Sequence, residues 1–503
     1  MLANTLFRWF ISMHYRNMKR WLHDPHGAQA QVWHELIESA SDTEWGKKYG
    51  FKHMKKVADF QNAVPFSEYD DLKPYIERMM LGEADVLWHG VVQRFSKSSG
   101  TTSDKSKFIP VSDENLDTCH LKGGHDIMAA WYHNNPYSKL YQGKLMALGG
   151  THKPLATHPD TVVGDVSAIM LDTMPFYAKY FFAPTLDVAL MDKWEDKIEQ
   201  MAQQLIKENI TMMSGVPTWT LVLLRRISQI TGKQNLLEIW PNFEYYAHGG
   251  VSFEPYRAQF RQFLPEKVRF INVYNASEGF FAAQLDNEGS DMTLLLDSGT
   301  FYEFIPMDEF EKKQPKALQL HEVALNTNYA LVISTNAGLW RYLVGDTVRF
   351  TSLAPYKIQI SGRTKHFINV FGEEVMIENT DRALAQTCQE LGGTINEYTV
   401  APIFMEGATG KGGHEWLIEF DTLPANLTAF AERLDENLKQ LNSDYEAKRY
   451  QNIALQTLKM HVAPVGTFHA WLRNKGKYGG QHKVPRLSNE RNYLEDILKM
   501  ANL

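Results

Sequence analysis

Ser98-Ser99-Gly100-Thr101-Thr102-Ser103-Asp104-Lys105-Ser106-Lys107-Phe108-Ile109-Pro110 stands between a strand-like run, Val91–Phe95, and a helical pattern from Asp113 to Tyr132. Small residues let the backbone approach an anion closely, while hydroxyls and amides can surround phosphate oxygens. Lys107 adds a point charge. A solvated Ser/Thr turn is the alternative reading. The Walker spacing, Gly-x-x-x-x-Gly-Lys-Ser/Thr, is absent.

Working outward, residues 28–90 read as helical, with a capping-like Ser-Asp-Thr-Glu at 41–44. Beyond the loop, helix-like pieces (192–208, 218–230) alternate with strand-like ones, among them Val268–Tyr274 entering a tight turn. Such alternation predicts α/β layering with largely parallel sheets. Strands dominate from 291 to 350 (Met292–Leu296, Phe301–Ile305, Ala330–Thr335, Val348–Phe350), a β-rich subdomain. After Lys357-Ile358-Gln359-Ile360 the pattern resets to a helix at 376–391, strands at 398–404 and 415–420, and a helix at 424–440. The expected fold is α/β: a large multi-layer N-terminal domain, residues 1–360, and a small mobile C-terminal α/β lid, residues 361–503.

The 503 residues are 44% hydrophobic and 22% charged, ordinary globular usage, with a net charge of -7. That balance offers no domain-wide basic surface, so no nucleic-acid partner is expected. Two cysteines, Cys119 and Cys388, exclude a disulfide framework and fit a reducing cytoplasm; each reads as a buried thiol. Residues 1–25 lack the continuous apolar core of a secretory peptide, and no stretch approaches the ~18 apolar residues needed to span a bilayer. They read as an amphipathic helix packing on the body, with membrane-surface binding as the alternative. No membrane is expected, and a monomer is the default.

Four further motifs can carry chemistry. In Val273-Tyr274-Asn275-Ala276-Ser277-Glu278-Gly279, Glu278 follows a strand, where α/β proteins bind ligands. It suits Mg²⁺ through one oxygen, or a helix cap. In Trp340-Arg341-Tyr342-Leu343-Val344-Gly345-Asp346, an acid follows a glycine turn after a strand. Asp346 can accept from ribose hydroxyls, or from its own backbone. The others are Gly362-Arg363-Thr364-Lys365-His366-Phe367-Ile368-Asn369-Val370-Phe371-Gly372-Glu373-Glu374-Val375 and Gly480-Gln481-His482-Lys483-Val484-Pro485-Arg486.

These five motifs, in this order from about residue 64 to 487, resemble the adenylate-forming superfamily, and within it most closely the auxin-responsive acyl acid amido synthetases. Plant members of that family join hormones such as jasmonate or indole-acetate to amino acids. Ser98–Pro110 is similar to its phosphate loop, Tyr274–Glu278 to its Tyr-x-Ser-Ser-Glu motif and Tyr342–Asp346 to its Tyr-Arg-x-Gly-Asp motif. Gly362–Val375 is similar to the superfamily's hinge, and Lys483–Arg486 to the family's Lys-x-Pro-Arg. His248-Gly249-Gly250 sits where the superfamily has an adenine-side turn. Asp104 replaces a glycine, Asn275-Ala276 replaces smaller or hydroxyl residues, and Leu343 replaces the usual arginine, with Arg341 before the tyrosine instead.

The resemblance implies ATP and Mg²⁺ as cofactors, and a carboxylic acid and an amino acid as small-molecule partners. It implies that Ser98, Ser99, Gly100, Thr101, Thr102, Ser103 and Lys107 hold the phosphates. Glu278 would bind Mg²⁺, Asp346 the ribose and Arg363 the ribose or phosphates, with Gly249, Tyr274 and Ser277 lining the nucleotide site. Lys483 would bridge substrate carboxylate and α-phosphate, the charge neutralisation that adenylation requires. Lys365 is the candidate lid pivot, or a surface lysine. An acyl-CoA ligase shares the first step, and a non-catalytic nucleotide-binding protein is the reading from another class. Asp297-Ser298-Gly299-Thr300 suggests one half of an aspartic protease dyad, but no second copy exists, and a hairpin turn fits better. His34-Glu35 lacks the second histidine of a zinc motif. Phe176, Tyr177, Tyr180 and Phe181 are candidates for the acid pocket or for core.

Overall fold

The computed structural model describes residues 2–99, 106–250, 253–287, 289–310, 312–364, 367–373, 375–404, 412–449, 455–475 and 484–503. It resolves into two compact units. The first holds residues 1–98, 107–250 and 257–364; the second holds 99–106, 251–256 and 365–503.

The first unit is organised by an eleven-stranded sheet. Five strands are mutually parallel: Phe182–Ala183, Lys144–Ala147, Ile210–Gly215, Tyr245–His248 and Arg269–Ala276, in that spatial order. Helices Trp194–Leu205 and Pro217–Thr231 cross between them, the first burying Ile198, Met201 and Leu205 at helical spacing. At Ala276 the direction reverses. Gly279–Ala283, Met292–Leu294, Tyr356–Arg363, Tyr342–Leu353, Asn328–Thr335 and Thr300–Pro306 continue the same sheet antiparallel. The β-rich stretch thus extends the parallel strands directly. A four-stranded sheet lies beside it, in the order Ser106–Val111, Arg94–Ser99, His158–Gly164, His152–Leu155.

Several expectations shift. The strand placed at Val91–Phe95 runs Arg94–Ser99, where its parallel partner pairs Val162 with Arg94 and Gly164 with Ser96. The helix from Asp113 to Asn134 contains a π-helical turn, Leu116–Leu121, the wider form often found at functional sites. Phe176 and Tyr180 belong to no core: they are 87% and 76% exposed beside a one-turn helix, Phe176–Lys179. Phe181 turns inward, edge-on to Tyr141 and Phe7; the Tyr177 side chain lies outside the described ones.

In the second unit Gly413–Thr422 pairs antiparallel with Thr394–Ile403 and parallel with Lys459–Ala463. Helices Ile377–Leu391 and Leu427–Leu441 pack together. The hinge motif is pinned at Glu373, whose fully buried carboxylate accepts from Phe371 N (2.6 Å) and lies 2.9 Å from His414 Nε2. After Lys483 the chain runs along Thr394–Ile403: Val400 N donates to Arg486 O, and the Arg486 guanidinium bonds Asp381 and Glu397. Arg486 therefore anchors the described segment that begins at Val484.

Candidate functional site

Parallel strands end in loops on one edge, and the first unit places several expected residues there. Tyr274 is the antepenultimate residue of Arg269–Ala276, and Ser277-Glu278 form a two-residue hairpin turn, since Ala276 pairs with Gly279. Glu278 sits in a β-turn, not at a helix cap, and its side chain is buried. Next door Tyr245–His248 runs into Gly249, where an added Cβ would lie 2.4 Å from Val273 O. Only glycine lets that loop lie against the strand carrying Tyr274.

Asp346 arrives from far along the sheet. Its motif lies inside the strand Tyr342–Leu353 and not in a turn after one. Gly345, at φ +93°, bends that strand, and its carbonyl accepts from Thr364 N (2.8 Å). Three strands separate Tyr342–Leu353 from Arg269–Ala276. In a flat sheet four spacings of ~4.8 Å would hold them about 19 Å apart. Yet Tyr274 OH donates to Asp346 Oδ2 at 2.5 Å. The sheet curls, bringing its parallel and antiparallel halves together at this edge. Arg363 is Asp346's register partner on the neighbouring strand.

Lys107 Nζ lies 3.4 Å from Tyr342 OH, at the head of the same strand. Ser98 ends the described approach to the phosphate loop, together with the Ser99 backbone. Gly100, Thr101, Thr102 and Ser103, with Asp104, Lys365 and Lys483, lie outside the described residues.

Arg341 does not stand in for the missing motif arginine. It is buried at φ +42°, bidentate to Glu303 at 3.0 and 2.9 Å, and donates to Gln61 O and Val64 O. Those bonds commit its guanidinium to the scaffold.

Two residues at this edge escaped the sequence reading. Lys197, 1% exposed, donates to Gly149 O (2.6 Å) and Gly150 O (3.2 Å), and burial pushes its amine down to about 8. It thereby fixes the loop after Lys144–Ala147. A lysine on the apolar stripe of Ile198 and Met201 was the available signal. His120, on the π turn, is fully buried, and neither ring nitrogen makes a hydrogen bond of ordinary geometry. Burial pushes it down to about 4, partly offset by Asn275 beside it.

This fixes a sign. The unfolded chain takes up a proton at His120 near pH 6.5, and the native state does so only near 4. His120 therefore contributes stability above about pH 6.5 that is lost as pH falls towards 4. The lost amount is about 3 kcal/mol. His248, pushed down to about 3 by burial, acts in the same direction. In His120→Gln the loss of stability between pH 6.5 and 4, measured by urea unfolding, is expected to flatten by that share.

Among the described residues no group of three or more His, Cys, Asp or Glu could hold a metal ion. Mg²⁺ beside a nucleotide asks for less, one or two carboxylates completed by phosphate oxygens and water, and Glu278 fits that demand.

The GH3 family N-terminal domain matches residues 14–268, its central domain 293–363 and its C-terminal domain 378–492. The chain belongs to the GH3 family. The resemblance read from the five motifs therefore holds. This GH3 chain is 23% identical to indole-3-acetic acid-amido synthetase GH3.3 of Arabidopsis thaliana, over 91% of its own length and 88% of the relative's. It is 22% identical to the 4-substituted benzoates-glutamate ligase GH3.12 of the same plant, over 91% and 92%. The jasmonoyl–L-amino acid synthetase GH3.5 of Oryza sativa subsp. japonica is 23% identical over 91% of both chains. In fold, the GH3 chain is similar to the GH3.15 acyl acid amido synthetase (TM-score 0.58, 16% identity, 95% and 93% covered). It is also similar to 2-hydroxyisobutyryl-CoA ligase in its thioesterification state (TM-score 0.59, 12% identity, 95% and 93% covered).

Proposed function

We propose that this GH3 chain is an AMP-forming acid–amino acid ligase. It activates a carboxylic acid with ATP to an acyl-adenylate and passes the acyl group to an amino acid amine. The observation that carries the reading is the match to all three GH3 domains in order, over relatives named as amido synthetases.

In the first step a carboxylate oxygen attacks the α-phosphorus, the bond to the bridging oxygen breaks and pyrophosphate leaves. Like charges meet, so catalysis is mainly charge neutralisation. Mg²⁺, when bound, supplies it as a Lewis acid on the phosphates, with Glu278 holding it. Ser98–Ser103 and Lys107 wrap the phosphates, Asp346 accepts from the ribose hydroxyls and Arg363 serves the ribose or phosphate region. Gly249, Tyr274 and Ser277 line the nucleotide, and Tyr274 OH orients the Asp346 carboxylate. Lys483 bridges the acid and the α-phosphate. In the second step the amine attacks the mixed anhydride carbonyl, loses a proton and expels AMP; no enzyme nucleophile is needed. Residues 1–360 form the adenylation and acyl-binding domain and residues 361–503 the lid. The protein works as a cytoplasmic monomer.

Purified protein with Mg²⁺ is expected to catalyse ATP–pyrophosphate exchange dependent on one class in a panel of carboxylic acids. With pooled amino acids it should then form an amide. Exchange followed by acyl transfer to coenzyme A alone would leave only the first step standing, and ATP binding without exchange would overturn the reading.

A further inference from the structure

The helix Leu2–His23 is amphipathic twice over. Its inner face holds it on the first unit: Phe7 stacks on Tyr141 at 3.8 Å, and Ile11, Met18 and Trp21 are buried. His14 Nε2 lies 2.6 Å from Asp126, and Asn4 receives Tyr132 OH and donates to Ser138 O. Phe10 meets His125 edge-on at 6.4 Å, and Tyr15 and Leu22 also pack against the core from this helix. Its outer face nevertheless presents Trp9, Phe10 and Met13, 65%, 49% and 37% exposed. Tyr137, next to Ser138 at the same end, is 94% exposed.

Charge says what such a face meets. Trp9, Met13, Arg16 and Arg20 follow one line at i, i+4, i+7 and i+11, flanked by Arg8 and Lys19. All four bases are exposed, and among the described residues none is ion-paired. No Asp or Glu occurs from Met1 to His23, in a chain whose net charge is -7. A second copy of the same face would bring eight uncompensated cations together, which disfavours self-association. An anionic bilayer answers both features, taking aromatic side chains at the headgroup–acyl boundary and bases on its phosphates.

We propose that this face is a membrane-docking surface. The docked helix lies flat on an anionic lipid bilayer, inserting Trp9, Phe10 and Met13 and setting Arg8, Arg16, Lys19 and Arg20 against the headgroups. The proposal reverses the expectation of no membrane and is independent of the adenylation reading.

Co-sedimentation of the full chain with vesicles tests it, comparing pure phosphatidylcholine with the same lipid containing about 30% phosphatidylglycerol, an anionic surface. Binding is expected only to the anionic vesicles and should fall with added salt. Arg16→Ser/Arg20→Ser should weaken it about 25-fold, on the order of fivefold for each base removed. Trp9→Ser/Phe10→Ser should weaken it about tenfold through lost insertion. Both variants alter exposed side chains, so melting temperatures should match the parent; should the aromatic pair unfold, the arginine pair still decides. Equal binding to both vesicle types, no binding, or binding untouched by the folded variants would overturn the proposal. So would a dimer dissociated by Trp9→Ser/Phe10→Ser without vesicle binding, which would assign the face to a second copy.

Discussion

Lys483→Ala is expected to reduce acid-dependent ATP–pyrophosphate exchange by about 10²–10³-fold, the usual cost of removing one charge stabiliser from a transition state. Glu278→Gln should fall as far for a different reason, because a neutral amide holds Mg²⁺ poorly. Pyrophosphate exchange and the second half-reaction, with chemically prepared acyl-adenylate supplied, separate the two steps. If the lid reorients between steps, Lys483→Ala should still convert that adenylate to amide within about threefold of the parent rate. Exchange by Lys483→Ala within threefold of the parent would remove the lysine from the chemistry. An equal collapse of both half-reactions would show that it also serves aminolysis.

The second large effect is on stability. Arg341→Met leaves the Glu303 carboxylate, 1% exposed, without its bidentate partner, and Gln61 O and Val64 O without a donor. Breaking a buried pair from one side costs about 3–5 kcal/mol. The urea midpoint of Arg341→Met should drop accordingly, and Arg341→Met/Glu303→Leu should recover most of the loss. The folded fraction should keep the parent KM for ATP, as a scaffold residue would. A raised KM with an unchanged midpoint would instead make Arg341 the functional replacement for the motif arginine.

Where the motifs fall on described residues, the local backbone demands they state were legible. Glycine at 249 and at 345 meets, respectively, a close approach and a positive φ, and Ser277-Glu278 follows a strand whose alternation is plain. The α/β class was legible from the alternation of elements. Contacts between distant segments were not. No periodicity announces that Tyr274 touches Asp346, 72 residues away, because sheet curvature is a property of the packed layers. The scaffold role of Arg341 was not legible, since its partners, Glu303, Gln61 and Val64, lie 38 to 280 residues away. Phe176 and Tyr180 read as pocket or core because aromatic residues are usually buried, a rule that a one-turn helix facing solvent escapes. Trp9 and Phe10 were hidden the same way, since a helix with two apolar faces looks from its sequence like one broad face.

The curled sheet also orders events during synthesis. The wall carrying Tyr274 leaves the ribosome well before the strand bearing Asp346, and the strand Tyr356–Arg363 that pairs with Asp346 follows later still. Domains form as the chain emerges, but contacts of high sequence separation close last. A nascent chain therefore has only half of this edge until the antiparallel half folds back, and Tyr274 meets Asp346 only when the rest of the unit is complete.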